Sequence, residues 1–348
     1  MHYIQPHADQ KNWRPVSFFI KKDKPAFLII SGVKSSEISY SCQLFREEVL
    51  MQNILTPQNR LQMDPILKVH PCLDAGAHAQ YGRIHLPVSP SCNIQCKFCK
   101  RSFNKCENRP GVTRSIITPL EAVELIAKAL QLCPEIRVAG IAGPGDPLAT
   151  DHALETIKLI DKRFPELLKC MSTNGLQLES KAEQIASVGV KTITVTVNAV
   201  NPDILKKICS HVLYRGRLLS GTEAAETLLN IQLAGIKKIT DLGLFVKINT
   251  VLIPGINDRH ISEIAKITSR LGAALINVIP LIPQNEMQAI NAPSCEQLSA
   301  ARSVAENYLA VFRHCQQCRA DACGIPGSGV DLADTLYDYR PVLTFSHG

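Results

Sequence analysis

The sequence predicts an α/β fold, a partial TIM-like (β/α)6 barrel with an N-terminal extension and a C-terminal segment. Two observations carry this reading. Short β-branched runs alternate six times with amphipathic helical stretches, and the conspicuous polar and cysteine motifs fall just after those runs. A parallel barrel-like sheet gathers ligands at the carboxyl ends of its strands, because loops and helix N-termini converge there.

The strands are expected at residues 84–88, 136–142, 168–172, 191–198, 244–253 and 275–281, each a β-branched or aliphatic run that ends in small or polar residues. The helices between them are expected at 118–133, 151–164, 180–188, 221–236, 258–272 and 294–312; the first opens with the Thr118–Pro119 start signal. Residues 66–313 form the expected barrel. Residues 1–65 are an extension without a clear motif, in which strand-like pieces flank a Lys-Pro turn and a helical stretch follows. Residues 314–348 form a C-terminal segment that carries a CxxC.

The chain has 348 residues, 38 Lys and Arg against 31 Asp and Glu, 45% hydrophobic and 20% charged residues. That is ordinary for a folded protein and excludes disordered, collagen-like and coiled-coil classes. The net charge of +7 is scattered rather than gathered in one stripe, which argues against nucleic acid as a partner. No apolar run is long enough to span a bilayer, and the N-terminus lacks a basic region followed by an apolar core, so a cytoplasmic protein with no membrane contact is expected.

Thirteen cysteines are the unusual feature. Their odd number and clustering favour metal or cluster ligation over disulfides. Cys92, Cys96 and Cys99 lie on one loop after the first expected strand, with Phe98 before the last of them. Three thiolates so close can each bind one iron of a [4Fe–4S] cluster, leaving the fourth iron open; a structural zinc site would want a fourth ligand at matched spacing. In GIAGPGDP (140–147), glycines and prolines turn the backbone sharply after the second strand, and Asp146 offers a carboxylate. Ser172, Thr173, Asn174 and Asn198 end the third and fourth strands as compact hydrogen-bonding groups, although the same residues also serve as caps and turns. Lys247 and Asn249 are candidates to face the lumen from the fifth strand.

This CxxxCxxC loop after the first strand resembles the radical S-adenosylmethionine (SAM) superfamily. More narrowly, HPCLDAGAHAQYGRIHLPVSPSCNIQCKFC (70–99), RPGV (109–112), GIAGPGDPLA (140–149), STNGL (172–176), VTVNAV (195–200), VLIPGIND (251–258), NVIPL (277–281) and HCQQCRADA (314–322) resemble the NifB family of nitrogenase cofactor biosynthesis proteins. The resemblance runs from about residue 68 to 324. It implies a [4Fe–4S] cluster that binds SAM, held by Cys92, Cys96 and Cys99, which act in the reductive cleavage of SAM. It implies SAM contacts from Gly143, Gly145, Asp146, Ser172, Thr173, Asn174 and Asn198. It also implies two auxiliary [4Fe–4S] clusters, with His70, Cys72, Cys106, Cys170, Cys315 and Cys318 as candidate ligands. His78 and His85 compete with His70 for that role, and the cysteine of FNKCENRPG stands about one residue from its usual place, with Glu107 beside it.

The implied activity is the fusion of two [4Fe–4S] units and the insertion of a SAM-derived carbon, giving the 8Fe precursor of the nitrogenase FeMo-cofactor. The chain ends about 25 residues past the CxxC region, short of the carrier domain that some members append. A separate carrier or scaffold protein is therefore expected to receive the product, alongside Fe–S cluster donors and an electron donor such as ferredoxin or flavodoxin. Arg319 and Asp321 are expected to pair and fix the CxxC loop. Cys42, Cys133, Cys209, Cys295 and Cys323 are expected to serve as small hydrophobes. The rival readings are another radical SAM enzyme with auxiliary clusters and a cluster carrier that never cleaves SAM.

Overall fold

The computed structural model describes residues 66–341 and 346–347. The extension at residues 1–65, with Cys42, lies outside the described residues.

Six parallel strands follow one another in space in the order of the chain: β1 (Gly82–His85), β2 (Ile136–Ile141), β3 (Leu168–Thr173), β4 (Val190–Thr196), β5 (Phe245–Leu252) and β6 (Leu275–Pro280). Each is followed by a helix: α1 (Pro119–Leu132), α2 (His152–Arg163), α3 (Leu178–Ser187), α4 (Gly221–Asp241), α5 (Ile261–Arg270) and α6 (Cys295–Glu306). α1 starts where the sequence says it should, since Thr118 and Glu121 form a reciprocal capping box and Pro119 occupies the first turn. Ser294 and Gln297 start α6 in the same way.

The two faces of the sheet differ sharply. Met171, Ile193, Val195, Val246, Ile248, Ile276 and Val278 point outward and bury against the helices in the main core. Their neighbours point inward, and the register aligns them across strands: Cys170 beside Thr192, Ser172 beside Thr194, Thr194 beside Lys247, Thr196 beside Asn249, Asn249 beside Asn277. Successive side chains on a strand alternate sides, so an apolar–polar alternation in these strands produces a dry outer layer and a polar lumen. Most parallel sheets bury apolar residues on both faces; a lumen lined by Cys, Ser, Thr, Asn and Lys is built to hold something.

The sheet does not close, because β1 and β6 do not pair. The chain after α6 spans this gap. Ala310–Val311 pairs parallel to β6, and Cys323–Gly324 pairs antiparallel to β1. The residues between, which include Cys315 and Cys318, therefore form the lateral wall of an open barrel. This corrects the expected helix at 294–312, which ends at Glu306. The edge of β6 offers unpaired backbone groups, and satisfying them with Ala310, Val311 and the Phe312 amide outweighs the helical pattern of this stretch.

A buried ion network fixes the wall. Asp321, with a fully buried side chain, receives Arg319 Nε at 2.8 Å, Arg114 Nη1 at 3.0 Å and the Arg114 backbone amide at 2.7 Å. Arg114 also reaches Asp334 at 2.8 Å, and Arg319 donates to the carbonyls of Glu107 (2.6 Å) and Asn104 (2.7 Å). The Arg319–Asp321 pair expected from the sequence is present, and it ties the wall to the loop that follows the first cysteine group. No helix among the described residues is long and apolar enough to cross a membrane.

Replacing Asp321 with Ala leaves the buried Arg319 guanidinium without its counter-charge and Arg114 with only the exposed Asp334 carboxylate. It is expected to cost about 3–5 kcal/mol of stability, read as a lower midpoint in urea unfolding under anaerobic conditions.

Candidate functional site

The first cysteine loop leaves β1 and is held by a small antiparallel sheet. Ile94–Cys96 pairs with Cys209–Tyr214, placing Gln95 opposite His211 and Cys96 opposite Cys209, and Cys209–Tyr214 pairs in turn with Arg217–Ser220. Arg215 and Gly216 make the tight turn with φ of 50° and 76°, the positive values that a two-residue hairpin loop needs. Beneath it a second apolar core, including Ile94, Leu205, Ile208, Val212 and Leu228, supports the loop. The Gln95 side-chain amide donates to the carbonyls of Cys96 (2.9 Å) and Cys99 (3.2 Å), which draws the last turn of the loop inward.

The GPGD turn packs directly on this loop. Gly145 N donates to Ser89 O and Asp146 N to Ser91 O, each at 2.8 Å. A Cβ on Gly145 would stand 2.0 Å from the Ser91 oxygen, so only glycine lets the two backbones meet. The Asp146 carboxylate is buried and accepts hydrogen bonds from Thr173 Oγ1, Asn174 N and Leu148 N at 2.6–3.1 Å. It thereby locks the end of β3 to the turn after β2. The Asn174 amide in turn donates to Asn93 Oδ1 at 2.7 Å and lies 3.7 Å from Cys92 Sγ.

Around these groups lies a cavity of about 260 Å³ at the carboxyl ends of the strands. Cys92, Cys96, Cys99, Gly145, Asp146, Ser172, Thr173, Asn174 and Asn198 all line it. Burial, and then the Asp146 carboxylate, pushes the Cys92 thiol up to about 12; burial also raises Cys96 and Cys99, and Arg101 and Arg109 beside Cys99 act in the opposite direction. Three thiols that resist ionisation in a polar pocket call for a cation to draw off their protons, which is what an iron cluster does. Among the described residues no three His, Cys, Asp or Glu side chains converge tightly enough to chelate one metal ion. A cubane places each thiolate on a different iron, so its donors stand farther apart than those around one tetrahedral zinc.

A second thiol constellation sits deeper in the lumen. Cys170 is on the same face of β3 as Ser172 but two residues earlier, about 6.6 Å further down the strand. Cys72 faces Cys170, Cys318, Arg83 and Lys247, and burial pushes its thiol up to about 12. Arg83 Nη2 donates to Cys318 Sγ at 3.2 Å, and Lys247 Nζ donates to the Cys72 carbonyl at 3.2 Å. Gln317, between the two cysteines of the CxxC, lines the upper cavity, so one loop borders both sites.

The sequence pattern of the Radical SAM superfamily matches residues 86–267, more than half of the chain. Over 262 residues the chain is 49% identical to the FeMo cofactor biosynthesis protein NifB of Methanocaldococcus infernus, covering 75% of this chain and 86% of that protein. The NifB of Methanocaldococcus jannaschii is 48% identical, covering 75% of this chain and 87% of that protein. The NifB of Chlorobaculum tepidum is 40% identical over 75% of this chain and 62% of that longer protein. The chain belongs to the NifB family of radical SAM enzymes.

Membership of the superfamily implies a [4Fe–4S] cluster and SAM, and the three half-buried thiols beside an open polar cavity fit both. Of the SAM contacts expected from the NifB resemblance, Gly143 alone is not part of the cavity wall; its φ of 125° sets the turn instead. Asp146 reaches the cavity with its oxygens already engaged. Of the expected auxiliary ligands, Cys72, Cys170 and Cys318 come together. Cys315 is half-buried against Leu275 and Phe312. Cys106 is exposed, on a loop where Arg109, with Ser102 and Asn104, holds the Glu107 carboxyl down to about 2.

His70 is buried, and its ring is pushed down to about 3 by burial and by Lys247. Its Nδ1 accepts the Cys72 amide at 3.1 Å, which leaves the proton of the neutral ring on Nε2. His85 shows the other tautomer, since Nδ1 lies 3.0 Å from the Arg319 carbonyl and donates to it, leaving a lone pair on Nε2.

Cys133, Cys209 and Cys323 are buried, as expected of small hydrophobes, whereas Cys295 is exposed. It occupies the first turn of α6, on the side away from the sheet. Cys209 does more than fill space: it lines the cavity opposite Cys96. No local pattern signals this, because the strand that carries Cys209 is not legible in the chain. Asn249, a lumen candidate from the sequence, lines the cavity, and so do Thr196 and Gln232, which are not among the expected site residues; the period-two pattern of β4 is the available signal for Thr196, and Gln232, on α4, has none.

Gly145→Ala is expected to push the Cys92 loop off the GPGD turn at a cost of about 1–3 kcal/mol. The check is iron per chain after anaerobic reconstitution, which should fall by the content of the cluster at Cys92, Cys96 and Cys99.

Proposed function

We propose that the chain acts in FeMo-cofactor biosynthesis, joining two [4Fe–4S] substrate units and inserting a SAM-derived carbon to give an 8Fe product. The observation that supports this best is the stacking of two thiol constellations in one polar lumen, bordered by a single loop. An ordinary radical SAM enzyme needs one such group; a reaction in which SAM acts on iron–sulfur substrates needs the second group within reach of the first.

In this reading Cys92, Cys96 and Cys99 hold the resident cluster, which supplies the electron for reductive cleavage of SAM when bound. Gly145 lets the GPGD turn approach the ligand closely. Asp146 acts through its hydrogen bonds, presenting the Thr173–Asn174 backbone and Gly145 to the SAM amino acid moiety, while Ser172, Thr173, Asn174 and Asn198 offer hydrogen bonds to its carboxylate and ribose, and Gly143 shapes the turn. Cys72, Cys170 and Cys318 form the nucleus of the substrate-cluster sites, with Cys315, Cys106 and His70 as their further ligands. The wall at residues 310–324 excludes water from the lumen, and its link to the 102–115 loop through Arg319 and Asp321 fixes Cys318 relative to Cys92. Residues 314–348 are accordingly read as a cluster-binding segment completing the barrel of 66–313. Cluster donors, an electron donor such as ferredoxin or flavodoxin, and a carrier for the product complete the system.

The test is anaerobic reconstitution followed by iron and sulfide counting and assay with SAM and dithionite. Wild-type protein is expected to bind about twelve irons and to yield both 5′-deoxyadenosine and S-adenosylhomocysteine. Cys96→Ala is expected to lose about four irons and to bring 5′-deoxyadenosine down to background, while Cys318→Ala and Cys315→Ala keep SAM cleavage and lose the 8Fe product. About four irons and 5′-deoxyadenosine alone in the wild type would overturn the reading in favour of a simpler radical SAM enzyme.

A further inference from the structure

Two cations are buried in the lower lumen, and among the described residues neither has a carboxylate within ion-pair distance, although Asp331 acts on Arg83 from farther away. Lys247 is 6% exposed; its ammonium donates to the Cys72 carbonyl at 3.2 Å and lies 5.6 Å from the centre of the Phe312 ring. Arg83 is also 6% exposed. Its Nη1 donates to the Gly324 carbonyl at 2.5 Å and its Nη2 to Cys318 Sγ at 3.2 Å, while Nε has no partner. Among the described residues neither forms an ion pair. The contrast with the rest of the molecule is plain: Arg114 and Arg319 share Asp321, and Lys169 is paired with Asp161 at 2.6 Å.

A buried ion without a counter-ion is costly, and carbonyls and an aromatic face offset only part of that cost. Both cations act on the Cys72 thiol, Lys247 also on Cys170 and Arg83 also on Cys318. Lys247 starts from the β5 position level with Thr194 and Ser172, and reaches the segment carrying Cys72 that precedes β1. The lumen thus holds an excess of positive charge facing a set of soft ligands. An oxidised cubane bound by three or four thiolates carries about one to two negative charges, which matches two cations.

We infer that Lys247 and Arg83 are the counter-charges of the iron–sulfur unit bound at Cys72, Cys170 and Cys318, positioning residues that raise its reduction potential and secure its uptake. The inference rests on the reading of the lower lumen as a cluster site and adds the electrostatic device that makes it workable. One more electron adds one more negative charge, so a fixed cation within reach of the sulfurs favours the reduced state. Lys247 carries the main test because Arg83 also braces the wall through Gly324.

The experiment is an EPR-monitored redox titration of anaerobically reconstituted full-length protein without SAM, comparing the wild type with Lys247→Met and Lys247→Arg, with iron counted in each. Lys247→Met is expected to lower the reduction equilibrium constant of the lumen cluster about tenfold, 59 mV for a one-electron couple, and to leave the cluster at Cys92, Cys96 and Cys99 unchanged. Lys247→Arg is expected to titrate within about twofold of wild type. Loss of the lumen cluster in Lys247→Met with normal loading in Lys247→Arg also supports the inference, since the two differ in charge. A Lys247→Met protein that loads and titrates like wild type overturns it, as does loss of the cluster in both variants, which makes the role one of packing. A wild-type protein with only about four irons fails earlier, at the reading of the lumen itself, and overturns both.

Discussion

Asp321, buried between the guanidinium groups of Arg114 and Arg319, is the contact on which the architecture of the site depends. Six parallel strands leave a gap between β1 and β6, and the chain must cross it with a stretch that has almost no regular structure of its own. Such a stretch gains little from backbone pairing, so its placement has to come from side chains. Asp321 answers two cations at once: Arg319 grips the 102–115 loop by its carbonyls, and Arg114, which belongs to that loop, reaches on to Asp334. The result is a wall whose cysteines hold a fixed position relative to the first cysteine loop.

The lumen that this wall closes is polar because β3, β4 and β5 alternate strictly. Their outward residues build the main core, and the inward ones supply Cys170, Ser172, Thr192, Thr194, Thr196, Lys247 and Asn249. Two levels result along the strands. At the carboxyl ends, backbone turns and amide side chains surround Cys92, Cys96 and Cys99. Lower down, Cys72, Cys170 and Cys318 meet two buried cations. The upper level has hydrogen-bonding groups suited to a polar organic cofactor, whereas the lower has thiols and positive charge suited to an inorganic anion. Burial raises the thiols of Cys92, Cys96 and Cys99 at the upper level and those of Cys72 and Cys170 at the lower one.

The two levels communicate through short, rigid links rather than through a hinge. Asp146 joins the turn after β2 to the end of β3, and Gly145 allows that turn to lie directly on the cysteine loop. Gln317 brings the CxxC loop to the rim of the upper cavity, its side-chain amide donating to the Pro280 carbonyl at 3.1 Å. The proposed reaction between a SAM-derived fragment and a metal cluster demands fixed separation and exclusion of water; in that reading these links serve the first demand and the wall the second.

By itself the sequence determined the alternation of six strands and six helices, the Thr118 start of α1, the grouping of Cys92, Cys96 and Cys99, and the glycine turn at 143–145. All of these depend on residues close together in the chain, where spacing, capping and period-two patterns report directly on local geometry. It also carried the likeness to a family, and with it the proposed roles of Cys72, Cys170 and Cys318. Only the tertiary structure decided that residues 310–324 span the gap between β6 and β1 instead of extending a helix, that Cys209 faces Cys96, that Asp146 spends its carboxylate on the protein's own Thr173, Asn174 and Leu148, and that Lys247 beside Cys72 has no ion-pair partner among the described residues. Each of these is settled by competition between distant groups: an unpaired sheet edge for strand partners, a carboxylate for donors, a buried cation for counter-charge. Such competition is decided by which groups the fold brings within a few ångströms, and no local pattern in the chain records that.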